Sequence, residues 1–250
     1  MTYTSGHCSL GRLGNQFIRN LAVSLIAEKH DLHVLYCNNH LFERLGIHLF
    51  SGKKFYNSIK VINEENYFSI YNDNINYNLN PNTAFFQTKE ITNLIYKYLH
   101  SEQIKKRIIG KNPFNSRYSN NNDLFVHIRL TDVTDKNPGI NYYSNAIKRI
   151  NFDKLYIATD DKTHNIITDL IMLYPSLIIV DLDEINTFQF GSTCKNIVLS
   201  HGTFSMVIGY LAFFSTVYYP EFNPDKLWHG DVFSIENWIK LPTLTALSTN

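Results

Sequence analysis

The chain has 250 residues, 44% hydrophobic and 14% aromatic, enough apolar surface for one large core or two ordinary ones without staples. Its 23 basic and 22 acidic side chains leave a net charge of +1, so no global field draws it to nucleic acid or to an acidic membrane face, and any phosphate site must be local. The three scattered cysteines, Cys8, Cys37 and Cys194, form no C-x-x-C pair and read as reduced thiols in a cytoplasmic compartment; Cys37, His40 and His48 lack the spacing of a zinc site.

The first residues lack the basic-then-apolar pattern of a signal peptide. A short strand and the loop Ser5-Gly6-His7-Cys8-Ser9-Leu10-Gly11-Arg12-Leu13-Gly14 lead into a helix whose Phe17, Ile18, Leu21, Ala22, Leu25 and Ile26 recur at three and four residues, an apolar face that must pack on a sheet. With the strand expected at 32–36 this makes a βαβ unit. The stretch 57–82 is rich in Asn, Tyr and Ile and shows only a weak strand at 60–62. A helix is predicted over 90–108, and the polar run 110–122 reads as a linker dividing the chain into domains 1–115 and 116–250.

Beyond the linker, apolar runs at 124–128, 155–158, 177–180, 197–199 and 217–219 alternate with helical stretches at 142–150, 162–174 and 204–214. Such alternation predicts a parallel sheet with helices on both faces. The longest apolar run, 206–219, is interrupted by Gly209, Ser215 and Thr216 and is too short to span a bilayer. The fold class is therefore α/β, with two Rossmann-like domains facing a cleft and ligands gathering at the carboxyl ends of the strands.

Four groups of residues carry chemistry. In His127-Ile128-Arg129-Leu130-Thr131-Asp132, alternation puts His127 and Arg129 on one side of a strand, and Arg129 emerges at its carboxyl end with a planar fork of donors suited to phosphate. A surface Arg–Asp pair accounts for the same pattern equally well. Ser200-His201-Gly202-Thr203-Phe204-Ser205 turns a strand into an apolar helix whose first N–H groups favour an anion, though an ordinary N-cap by Gly202 or Thr203 needs the same residues. Gly11-Arg12-Leu13-Gly14-Asn15-Gln16 is neither G-x-G-x-x-G nor a P-loop, which disfavours a dinucleotide oxidoreductase and an NTPase; Asn15 also serves as a simple cap. Ala158-Thr159-Asp160-Asp161 pairs two acids before a helix, where capping by one of them is a simpler account than metal binding.

The order of these motifs, together with Phe85-Phe86-Gln87, resembles the GDP-fucose-dependent fucosyltransferase superfamily, nearest to its alpha-1,2 members, over nearly the whole chain. The resemblance implies a GT-B-like fold and an inverting glycosyltransferase that moves fucose from GDP-fucose to a glycan hydroxyl, in an alpha-1,2 linkage, without a metal or other cofactor. It implies a donor-binding domain at 116–250 and an acceptor-side domain at 1–115. Arg129 and Asp132 would be catalytic. His127, Arg129, Thr203, Phe204 and Ser205 would meet the donor, with Gly11, Arg12, Leu13, Gly14 and Asn15 reaching it from the first domain; Asp160, Ser200, His201 and Asn196 extend that set by proximity. Asp132, Asp135 and His7 are the candidate general bases. Leu130 and Thr131 replace the second Arg and the Gly usual in the alpha-1,2 motif, and Met206 and Val207 replace its paired tryptophans. Two rival readings are transfer of another nucleotide-activated sugar and a non-catalytic nucleotide-sugar-binding protein of the same fold.

Overall fold

The computed structural model describes residues 4–5, 10–132, 134–225 and 227–243. In chain order the elements are β1 (Thr4–Ser5), α1 (Leu13–His30), β2 (Val34–Leu35), α2 (Asn39–Arg44), β3 (Ile59–Val61), α3 (Tyr67–Asn72), β4 (Asn78–Asn80), α4 (Lys89–Leu99), α5 (Glu102–Lys111), β5 (Leu124–Ile128), α6 (Ile140–Arg149), β6 (Leu155–Thr159), α7 (Asn165–Leu173), β7 (Ile178–Ile179), α8 (Glu184–Gly191), β8 (Asn196–Val198), α9 (Thr203–Tyr210), β9 (Thr216–Pro220) and β10 (Ile239–Leu241). The chain forms two compact units, Met1–Asn112 with Gly230–Val232, and Pro113–His229 with Phe233–Asn250.

In the N-terminal unit β1 and β2 pair in parallel across α1, which is the expected βαβ unit, and β3 pairs in parallel with β4. The Thr4 hydroxyl accepts the Leu79 N–H at 2.9 Å and so ties β1 to β4. Helix α1 differs from the one-faced helix expected: all residues from Phe17 to Ala27 are buried, including Arg19, Asn20 and Ser24. It ends at Asp31, in left-handed conformation (φ 56°), whose N–H bonds the Ala27 carbonyl, while Lys29 and His30 in the last turn complement the helix dipole. The single helix predicted over 90–108 is two, α4 and α5, because Ser101 adopts extended N-cap geometry (φ −61°, ψ 144°) and restarts the chain at Glu102. Cys37 is disulfide-bonded. That corrects the reading of all three cysteines as reduced thiols, and cysteine usage no longer argues for a reducing compartment; Cys194 is free and buried.

The C-terminal unit is built on a six-stranded, all-parallel sheet in the order β10-β9-β8-β5-β6-β7. Alternation along β5 sorts its side chains. Leu124, Val126 and Ile128 join a core with Tyr142, Tyr143, Ala146 and Ile147 of α6 and Ile167 and Leu170 of α7. Phe125 and His127 face α8 and α9 instead, with Phe125 against Phe190 and Gly191 and His127 against Ser205. All five residues of β5 are buried, as expected of a central parallel strand. The chain leaves β5 for β6 and β7 on one side and returns to β8, β9 and β10 on the other. The adjacent strands β5 and β8 therefore flank the topological switch point, where such sheets bind ligands beyond their carboxyl ends. No described helix is long and apolar enough to cross a membrane.

Candidate active site

The carboxyl ends of β5, β6 and β8 bring His127, Arg129, Asp132, Asp160, Ser200, His201, Thr203, Phe204 and Ser205 into one region of the C-terminal unit. A chain of hydrogen bonds sets their positions. The Arg129 N–H donates to Ser200 Oγ at 3.2 Å, the Ser200 N–H donates to Ser205 Oγ at 3.2 Å, and Ser205 Oγ lies 2.5 Å from His127 Nδ1. The ends of β5 and β8 and the first turn of α9 are thereby locked to each other. The His127 ring stacks on Phe204, with centroids 5.0 Å apart and planes at 24°. Burial lowers the His127 pKa to about 4; Asp160 pulls it back up in part and Arg129 pushes it down, so the imidazole is neutral at pH 7.

Arg129 is held by two carboxylates. Its Nε and Nη2 donate to Asp132 Oδ1 at 2.9 and 2.5 Å, and Nε is 3.1 Å from Asp160 Oδ2. Asp160 also accepts the Leu130 N–H at 2.7 Å and the Thr131 hydroxyl at 2.7 Å. Burial raises the Asp160 pKa, but the hydrogen bonds from Thr131 and Leu130 and the charge of Arg129 outweigh it, and the net shift is downward. The neighbouring Asp161 is half-buried and accepts the Thr163 N–H and hydroxyl at 2.9 and 2.7 Å. Neither aspartate caps α7, contrary to the simpler expectation: the cap is His164, whose Nδ1 accepts the Ile166 N–H at 3.2 Å.

Gly202 opens α9 at φ 106° and ψ 155°, a region essentially closed to residues with a Cβ, and the helix has no side-chain cap. Its neighbour His201 is buried beside His229, with ring centroids 6.1 Å apart, and burial followed by the His229 charge lowers the His201 pKa to about 3. Asp135 lies exposed in a short 3-10 turn, Thr134–Lys136, while His7 lies outside the described residues. Asn196 is buried within β8. Among the described residues no group of three or more His, Cys, Asp or Glu is placed to hold a metal ion.

The sequence reading passed over Asn137, whose Nδ2 donates to the Arg129 carbonyl at 2.7 Å and to the Tyr143 hydroxyl at 3.0 Å. Its signal was the turn sequence Asn137-Pro138-Gly139, in which the Gly139 N–H donates to Asn137 Oδ1 at 2.8 Å.

The N-terminal unit gathers the other motifs. Gly11 and Arg12 are exposed before α1, whereas Leu13 and Gly14 are buried inside its first turn. Gly11 needs its φ of 78°, and an added Cβ would lie 2.3 Å from Asn15 Nδ2. Gln87 Nε2 donates to Asn15 Oδ1 at 2.8 Å, which joins the Phe85-Phe86-Gln87 segment to the start of α1. Two charges that sequence reading also missed secure that segment: buried Arg19 donates to the carbonyls of Ala84 and Asn82, and half-buried Glu64 accepts through Oε1 the N–H groups of Phe85 and Phe86 at 2.8 and 2.6 Å.

Solved structures of the fucosyltransferase NodZ share this fold. The crystal structure of NodZ from Bradyrhizobium superposes with a TM-score of 0.51 at 11% identity, covering 86% of this chain and 94% of that one. Its selenomethionine form gives 0.55 at 10% identity, over 91% and 96% of the two chains. NodZ alpha-1,6-fucosyltransferase soaked with GDP-fucose gives 0.53 at 12%, over 91% and 97%. At such identities the likeness is one of fold: α/β and GT-B-like, as the sequence predicted. No protein-family model and no curated protein matches the chain.

Proposed function

We propose that this protein is an inverting glycosyltransferase that moves fucose from GDP-fucose to a glycan hydroxyl without a metal ion. The observation that carries the reading is the Arg129 guanidinium, fixed by Asp132 and Asp160 at the carboxyl edge of β5 beside the first turn of α9. The fold shared with NodZ, solved after soaking with GDP-fucose, supports the choice of donor. In this reading the unit carrying β5 to β10 holds the donor and the N-terminal unit receives the acceptor.

As the bond from the sugar to the β-phosphate breaks, positive charge builds on the sugar and negative charge on the pyrophosphate. Donors already aimed at that phosphate lower the barrier because they need no reorganisation when the charge appears. Arg129 supplies a guanidinium fork for this role, and the N–H groups opening α9 supply a partial positive charge. His127, neutral and buried, is a positioning residue that orients the Ser205 hydroxyl. Asp132 is the candidate for removing the acceptor proton. The motif order favours an alpha-1,2 linkage, whereas NodZ is an alpha-1,6 enzyme; product analysis chooses between them.

Thermal unfolding with GDP, UDP, ADP and CMP, each with and without EDTA, tests the donor. A ligand that binds the folded state raises the melting temperature by mass action. The expected result is a rise selective for GDP and indifferent to EDTA. A rise selective for UDP, or one abolished by EDTA, contradicts the proposal.

A further inference from the structure

Among the described residues at the carboxyl edge, the arginine proposed to meet phosphate sits between two aspartates. Arg129 faces two carboxylates, Asp132 and Asp160, so the three groups together carry one net negative charge. Burial keeps the nearby imidazoles of His127 and His201 neutral at pH 7. A nucleoside diphosphate brings further negative charge to this edge, and like charges repel. A further cation beside Arg129 would favour such a ligand.

Lys136 is placed to provide it. It stands in the loop after β5, where the side chain of the following residue, Asn137, donates to the Arg129 carbonyl at 2.7 Å. Its ammonium lies over the ring of Trp228, 5.1 Å from the centroid. Trp228 is 46% exposed, and its Cζ2 would stand 3.9 Å from a Cβ at Gly202, the residue that opens α9. Lys136 therefore reaches from Arg129 to the neighbourhood of the α9 turn. Its contact there is with an aromatic face, a weaker hold on an ammonium than a phosphate oxygen provides.

We propose that Lys136 is a second phosphate-binding residue, leaving the face of Trp228 for the β-phosphate when a nucleoside diphosphate binds. The assignment rests on the reading of this edge as a donor site and adds a residue to it.

Calorimetric titration of the full chain and its Lys136→Met and Lys136→Arg variants with GDP and GMP tests the assignment, since only GDP carries the β-phosphate. Lys136→Met is expected to weaken GDP about tenfold or more, the scale of a lost charged hydrogen bond, with GMP affinity and melting temperature unchanged. Lys136→Arg keeps the charge and retains most of the GDP affinity. Unchanged GDP binding in Lys136→Met overturns the proposal, and so does an equal loss of GDP and GMP, which marks a structural role. Should Lys136→Met lower the melting temperature, Lys136→Gln carries the same comparison. If the unmodified protein itself binds GDP no more tightly than GMP, the donor-site reading fails first, and this assignment falls with it.

Discussion

Helices α1 and α9 both begin at a glycine turn and both lack a side-chain cap, yet their first turns are furnished in opposite ways. At α1 the polar side chains are turned into the protein. Gln16 donates to the Gly11 carbonyl at 3.0 Å and accepts from Asn38 at 2.8 Å, Asn15 accepts from Gln87, and Arg19 one turn on holds the carbonyls of Asn82 and Ala84. At α9 the hydroxyls of Ser200 and Ser205 close a small internal network with His127, and Arg129 stands among carboxylates at the sheet edge. The same local pattern, glycine then apolar helix, thus organises a loop in one place and a charged edge in the other. What separates them is what each helix start is bonded to: residues between elements at α1, the ends of β5 and β8 at α9.

The largest expected effect breaks the α9 side. Arg129→Ala should lower kcat roughly a hundredfold or more, by the scale of a lost transition-state donor, while the melting temperature stays near normal. Arg129→Lys should recover little, because one ammonium cannot reproduce the fork. On the α1 side the effect should fall on stability instead. Arg19→Met removes charged hydrogen bonds to the carbonyls of Ala84 and Asn82, the first of them buried, and should cost about 2–4 kcal/mol, read from the urea midpoint. Burial lowers its pKa and Glu64 partly restores it, so the guanidinium is costly to bury and costlier to remove.

A third test uses backbone alone. Gly202→Ala should destabilise by roughly 1–3 kcal/mol, because φ 106° with ψ 155° is strained for alanine even though the nearest side-chain atom, on Trp228, leaves room at 3.9 Å.

The fourth is a pH profile. His127 and His201 have folded pKa values of about 4 and about 3, below the ordinary histidine value of ~6.5. Between those limits the unfolded chain binds more protons than the folded one, so stability is full above pH ~6.5 and is lost as pH falls, by at most about 1.4 kcal/mol per pH unit for each group. Melting temperature should fall from pH 6.5 toward pH 4, and less steeply in His127→Gln.

The C-terminal sheet was legible because its strands are buried on both faces: Leu124–Ile128 is a continuous apolar run apart from His127, bounded by polar residues, and the strand occupies those positions. Short edge strands were harder. Strand β10 (Ile239–Leu241) is three residues long and largely exposed, too short for its alternation to stand out, so only its pairing with β9 defines it. The split between α4 and α5 was missed because Ser101-Glu102 interrupts an otherwise helical composition by capping rather than by Gly or Pro. At the candidate site Arg129 and Asp132 were visible as the end of a strand and the loop after it. The roles of Asp160, Asn137, Arg19 and Glu64 were not, because each acts on a partner far along the chain or through the backbone: Asp160 on Leu130 and Thr131, Glu64 on Phe85 and Phe86.

The most direct test is a transfer assay with GDP-fucose and a panel of glycan acceptors, following GDP release in the presence of EDTA for the unmodified protein and for Arg129→Ala. The expected result is acceptor-dependent GDP release by the unmodified protein, at least about a hundredfold slower in the variant. GDP release at equal rates from both, or none from GDP-fucose with turnover of another sugar nucleotide, would contradict the assignment of Arg129 and of the donor respectively.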